Sequence, residues 1–184
     1  MKKSLIAGLV GGLIVFVWGA FSHMVLPLGE MGFSILPNED PVLEALKSNI
    51  TEPGLYFFPG MSHMREATPE EMKAWEEKYK AGPIGLLLFN PQGEAPMSPR
   101  QLGMELFTNV LAASIIAIVL SSMSVSIIQG SFFSALLGLF AWLSISASYW
   151  NWYSFPSIFI LAEGFDQVIS WLLGGLAITA IVKK

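Results

Sequence analysis

Four runs of apolar residues decide what this chain can fold into. They are Ser4–Leu26, Leu106–Ile128, Phe132–Trp150 and Ile158–Val182. Each approaches or exceeds the roughly 20 residues that carry a helix across about 30 Å of hydrocarbon. Only 13% of the 184 residues are charged, against about 25% in soluble domains. The expected fold is an all-α membrane protein, a four-transmembrane-helix bundle with a small α/β extracytoplasmic insert between helices 1 and 2. The expected helical segments are 4–26, 99–129, 131–150 and 156–183, with the insert at 27–98.

Charge placement supplies an expected orientation. Lys2, Lys3, Lys183 and Lys184 sit at the ends, and all fourteen acids lie between Glu30 and Asp166. Four spans return the chain to its starting side, and lysines favour the cytoplasmic face. The expectation is a multi-pass protein of the cytoplasmic (inner) membrane, N-in and C-in, with 27–98 outside. The run Leu5–Phe21 exceeds the roughly 7 to 15 residues of a signal-peptide core, and Trp18 blocks the best cleavage position. It reads as an uncleaved signal anchor. No basic patch argues for nucleic acid. The chain has no cysteine, which excludes disulfides, thiolate metal sites and cysteine nucleophiles.

Local signals mark the elements. Ser98-Pro99-Arg100-Gln101 is a capping box with proline at the first helical position, so the second helix starts ahead of its apolar part. Gln129-Gly130-Ser131 reads as a tight turn between helices 2 and 3. In the insert, Asp40-Pro41 reads as a cap leading a helix to about Ser48. Leu55–Phe58 and Ile84–Phe89 read as strands. Thr68-Pro69-Glu70-Glu71 opens a helix to about Lys80, whose Met72, Trp75 and Tyr79 share one face. Two strands do not hold themselves together in water. The insert is therefore expected to rest on the projecting helix, the lipid surface or another subunit.

The fourth span carries the chemistry. Glu163, Asp166, Gln167 and Ser170 recur at helical spacing and form one stripe. A carboxylate at the bilayer centre costs about 2.5 to 3.5 kcal/mol, so the stripe needs partners, water or a proton. Aligning the outer ends of the spans brings His23, Glu105, Asn109, Asn151, Glu163, Asp166 and Gln167 to one depth. This candidate cluster has three readings. Carboxylates and an imidazole from facing helices suit a cation or metal ion, although the Glu-x-x-His element of helical metal sites is missing. Closely placed carboxylates also suit proton or solute coupling, although the inner half offers no ionisable group to continue a pathway. The third reading is an interhelical hydrogen-bond network. Outside the spans, Met61, His63 and Met64 offer soft ligands of the kind that suit Cu(I).

Small residues repeat every four positions: Gly8 and Gly12, Ala113 and Ala117, Ser134 and Gly138, Ser170 and Gly174. They suit close helix packing within the chain or between copies. Tyr149–Tyr153 is dense in aromatics and reads as an interfacial belt. The four-span plan with a large first outer loop resembles that of claudin-like proteins. The cysteine pair of their loop has no counterpart here, and no residue role is carried over.

No nucleophile–base pair or phosphate-cradling loop is present. The expected function is a small integral membrane protein, a non-enzymatic accessory or scaffold subunit presenting the outer insert. The alternative is ion, proton or metal handling at the polar cluster. No cofactor is expected under the first reading; a metal ion belongs to the second. The expected partners are the lipid bilayer and either another membrane protein or a second copy of the chain.

Overall fold

The computed structural model describes residues 2–61 and 63–183. In chain order the elements are α1 (Lys2–Met24), α2 (Glu39–Asn49), β1 (Gly54–Phe58), α3 (Pro69–Ala81), β2 (Gly85–Phe89), α4 (Pro99–Ser121), α5 (Ile127–Ser144), α6 (Ser146–Tyr153) and α7 (Ser157–Val182). They form two compact units, Met1–Phe33 with Ala95–Lys184, and Ser34–Glu94. Residues 27–33 and 95–98, expected in the insert, belong to the helical unit. Pro27–Gly29 is a 3-10 turn packed on α1 and α7, and Ser98 caps α4.

Four helices of the first unit are long and apolar enough to cross a membrane: α1 and α4 with 23 residues each, α5 continued by α6 with 27, and α7 with 26. α1 turns Leu5, Leu9, Leu13 and Val17 outward, and Ile115, Phe132, Phe140 and Leu161 are likewise exposed. Continuous apolar surface of this kind is unfavourable in water. The unit is compatible with an integral membrane protein.

α7 packs against α1, α4 and α5, and α1 also packs against α4. Small residues set these contacts. A Cβ on Gly8 would fall 2.8 Å from the Ser114 Cα, and one on Gly12 would fall 2.5 Å from the Val110 Cα. The backbones of α1 and α4 therefore touch, and the small-residue repeats serve contacts within the chain. The core is correspondingly small-sided: Ala7, Ala113, Ile116, Ala117, Leu120 and Ile178. Side chains also tie the helices. Ser131 Oγ donates to the Leu172 carbonyl at 2.6 Å and Trp142 Nε1 to the Ile160 carbonyl at 2.7 Å. Such bonds contribute about 0.6 to 2 kcal/mol each between membrane helices.

The turn between α4 and α5 lies at Ser122–Ser126, ahead of the expected Gln129-Gly130-Ser131. Ser126 accepts from the Gln129 N–H, and the Gln129 side chain accepts from the Ser126 N–H. That capping box draws Gln129 and Gly130 into α5. Nor do α4 and α5 form a closely packed hairpin. α7 lies against both, its Lys183 Nζ donates to the Met123 carbonyl, and Met123 and Val125 pack on the core. The third span breaks at Ile145 (φ −114°, ψ −67°) into α5 and α6.

In the second unit, β1 and β2 pair antiparallel with Leu55 opposite Leu88 and Phe57 opposite Leu86. Trp75 Nε1 donates to the Pro59 carbonyl at 2.9 Å, and Tyr79 stacks on Phe57. These contacts seat the apolar stripe of α3 beside the hairpin. The Thr68 N–H and hydroxyl both bond the Glu71 carboxylate, at 2.8 and 3.1 Å, and hold it below the usual carboxylate range. α2 begins earlier than expected, with left-handed Asn38 as its N-cap and no side-chain cap bond. Asp40 and Pro41 lie inside its first turn, where backbone N–H groups have no helical partner and proline is tolerated. Among the described residues of this unit only Pro59 is buried.

Candidate functional site

The polar stripe of α7 faces a cavity of about 620 Å³ between α1, α4 and α7. It lies at the end of the bundle away from the chain termini. Ser4 meets Ser121 and Lys183 meets Met123 at the opposite end. α7 supplies Glu163, Asp166, Gln167 and Ser170, α4 supplies Glu105 and Asn109, and α1 supplies His23. The walls between them are apolar and aromatic: Val15, Phe16, Phe33, Leu102, Phe159 and Trp171.

Each polar group has a distinct setting. Trp18 Nε1 donates to Asp166 Oδ1 at 2.7 Å. An indole N–H is a donor only, so Trp18 is the donor of this bond and Asp166 the acceptor. Trp171 Nε1 donates to Gln167 Oε1 at 3.2 Å, and Asn109 Nδ2 to Glu105 Oε1 at 3.1 Å. His23 Nδ1 lies 3.0 Å from Ser22 Oγ and 3.1 Å from the Gly19 carbonyl. Glu163 is half-buried, and among the described residues it has no hydrogen bond or ion pair. Among the described residues the lining carries three carboxylates and one imidazole, with no lysine or arginine.

Six of the seven cluster residues line this cavity; Asn151 does not. The helix break at Ile145 starts α6, whose Trp150 Nε1 bonds Ser157 Oγ at 3.0 Å, and Asn151 is left exposed. Among the described residues no three histidine, aspartate or glutamate side chains converge closely enough to hold a metal ion. Outside the bundle, His63 adopts a left-handed backbone (φ 59°) and is exposed, as is Met64, whereas Met61 is half-buried.

Trp18 and Trp171 were not expected in this setting. Trp18 shares one helical face with Gly11, Val15 and Ser22, all buried, and that spacing is visible in the sequence. Also unexpected is the chain just after α1. Leu28, Gly29 and Phe33 close part of the cavity wall.

Neither a protein-family model, nor a curated protein, nor a solved structure matches this chain.

Proposed function

We propose that the chain is an integral membrane protein whose helical unit binds a small ligand bearing a positive charge and an apolar part. One observation carries this reading. A cavity of about 620 Å³ is lined by three carboxylates and aromatic walls, with no lysine or arginine among the described residues. Small-molecule sites commonly occupy about 300 to 1,000 Å³ and combine apolar walls with a few convergent polar groups. Convergent carboxylates attract a cation, and aromatic faces add to that attraction. Glu163, whose side chain has no partner among the described residues, is the anchor. Asp166 and Glu105 are already engaged by Trp18 and Asn109. Binding here is non-covalent and belongs with the ion-handling reading of the cluster.

Purified protein in lipid nanodiscs tests this by thermal shift with butylammonium, tetramethylammonium, sodium and the neutral butanol. The ammonium probes are expected to raise the melting temperature and butanol to leave it unchanged, because only a ligand favouring the folded state stabilises it. Glu163→Gln should remove the shift. Equal shifts from butanol and butylammonium, or a full shift in Glu163→Gln, would overturn the reading.

The second reading, an accessory subunit presenting residues 34–94, is favoured by one feature. The cross-strand pair Leu55 and Leu88 is 62% and 84% exposed on one face of the hairpin. If that face joins two copies, light scattering of the protein–detergent complex should show a dimer that Leu88→Lys reduces to a monomer. We orient the protein with both termini in the cytoplasm of a bacterial inner membrane. The meeting of both terminal regions at one end of the bundle supports this, as do the flanking lysines. Reporter fusions after residue 184 and within residues 66–80 should give cytoplasmic and external signals respectively.

A further inference from the structure

Residues 25–33 leave α1 and fold back over the end of the bundle. The Val25 and Leu26 N–H groups both donate to the Phe21 carbonyl, at 2.9 and 3.1 Å, and end the helix. Pro27–Gly29 then makes a 3-10 turn. The Glu30 N–H bonds the Pro27 carbonyl at 3.1 Å, and the Phe33 N–H bonds the Glu30 carbonyl at 3.2 Å. These bonds stay within the segment. Among the described residues no backbone hydrogen bond ties 27–33 to α4 or α7.

Shape holds the segment down instead. Gly32 lies directly on Phe159, where an added Cβ would come within 3.0 Å of the Phe159 Cα. Its φ of +87° is in the left-handed region that favours glycine. Gly29 lies on the end of α1, where a Cβ would fall 2.8 Å from the His23 carbonyl oxygen. Phe33 meets Phe159 edge to face at 5.6 Å. The helices beneath are tied differently. Trp18 bonds Asp166 between α1 and α7, and Ser131 and Trp142 bond α7 from α5.

A segment whose backbone hydrogen bonds stay within itself and that sits by packing can lift without breaking a hydrogen bond of the bundle. We infer that residues 27–33 are a strap that gates the cavity. Seated, Leu28, Gly29 and the 71% exposed Phe33 narrow one side of an opening that water already enters; lifted, they widen it for a solute. The chain runs from Phe33 straight into the unit Ser34–Glu94, so a force on that unit reaches the strap along the backbone. The gate holds whichever ligand the cavity takes.

The absence of native cysteine makes single-cysteine labelling a clean test. Ser170→Cys places a thiol on the cavity wall at a buried position, and Thr179→Cys places one in the buried terminal half of α7. The initial rate of reaction with a charged, water-soluble maleimide is measured in nanodiscs. Gly32→Ala cannot seat the strap, and Phe33→Ala removes its aromatic contact without backbone strain. Each should accelerate labelling at position 170 roughly tenfold or more through local opening, leaving position 179 unchanged. Gly103→Ala, where the added methyl meets nothing within 4 Å, should change neither rate. No acceleration at 170 in Phe33→Ala would overturn the gate, as would equal acceleration at 179, which signals general loosening. If Gly32→Ala fails to fold, Phe33→Ala decides alone. The assay uses no ligand, so its failure is separable from failure of cation binding.

Discussion

Replacing Trp18 with phenylalanine removes the one N–H that Asp166 accepts and keeps most of the ring. The bond is 2.7 Å long and partly buried. Hydrogen bonds to charged groups contribute about 1.5 to 3 kcal/mol in soluble proteins, whereas bonds between membrane helices average about 0.6 and reach about 1.7. The carboxylate borders a cavity that water can enter, so its desolvation is incomplete and the lower range applies. Trp18→Phe should therefore cost about 1 kcal/mol. Asp166→Asn keeps an oxygen at the acceptor position and should cost about 0.5 kcal/mol or less, as expected for a neutral bond replacing a charged one. Asp166→Leu strands the indole N–H and should cost about 1 to 2 kcal/mol. Thermal unfolding in detergent reads these as losses of about 2 to 4 °C per kcal/mol for a chain of this size. Trp18→Phe also trims the ring, so the single variant overstates the bond. The double-mutant cycle of Trp18→Phe with Asp166→Leu removes that error and should return a coupling of about 1 kcal/mol. A coupling below about 0.3 kcal/mol would refute the claim that this contact ties α1 to α7.

Gly8→Ala should destabilise by about 1 to 3 kcal/mol through overpacking against Ser114, whereas Gly103→Ala, facing open space, should be neutral or gain about 0.5 to 1 kcal/mol; detergent melting temperatures distinguish the two. Ser126→Ala should lose about 1 kcal/mol with the α5 cap, and Ser126→Asp should restore most of it in the same assay. Glu71 has a lowered folded-state pKa because Thr68 bonds its carboxylate. Its contribution to α3 is therefore present above the ordinary carboxylate range and lost as the pH falls through the lowered folded value. Hydrogen exchange across residues 68–81, corrected for intrinsic pH dependence, should show that acid loosening in the wild type and a flatter response in Glu71→Gln.

Run length and end chemistry made much of the fold legible. The capping boxes at Ser98 and Thr68 fall where serine or threonine precedes glutamine or glutamate by three residues. The same rule applied at Ser126 and Gln129, yet Gly130 beside a serine reads as a turn. In this bundle Gly130 is a seat for Thr179 on a neighbouring helix, and glycine between membrane helices marks contact rather than a break. Aligning the helices by their ends placed together six cluster residues that line one cavity. Asn151 follows the break at Ile145 and is exposed on α6, away from the cavity lining. The strap was illegible for another reason. Gly29 and Gly32 look like ordinary loop glycines until His23 and Phe159 are found beneath them.

Small residues play different parts at the two ends of the bundle. In the terminal half, α1 meets α4 through Gly8 and Gly12, and α7 through Gly11 and Gly174. Each of these positions lets another helix approach to within a side-chain stub of the backbone. Farther along, α1 offers Phe16 and His23, α4 offers Asn109, Glu105 and Leu102, and α7 offers Gln167, Asp166 and Glu163. Between them Gly19, whose added Cβ would meet nothing within 4 Å, Ala20 and Ala162 leave space unfilled. On its other side α7 keeps small residues throughout: Gly164 lies under the Trp142 ring and Gly175 against Ser134. That contact fixes α7 to α5 over its length while its α1-facing side opens. α7 therefore has a rigid back and a polar front. Stiffness of this kind holds Glu163 and Asp166 at a fixed spacing without any bond between them. A carboxylate without a side-chain partner among the described residues, on a firmly seated helix, is left to water or a cation from the cavity. For that reason Glu163 rather than the better-bonded Asp166 is the residue on which ligand binding should turn.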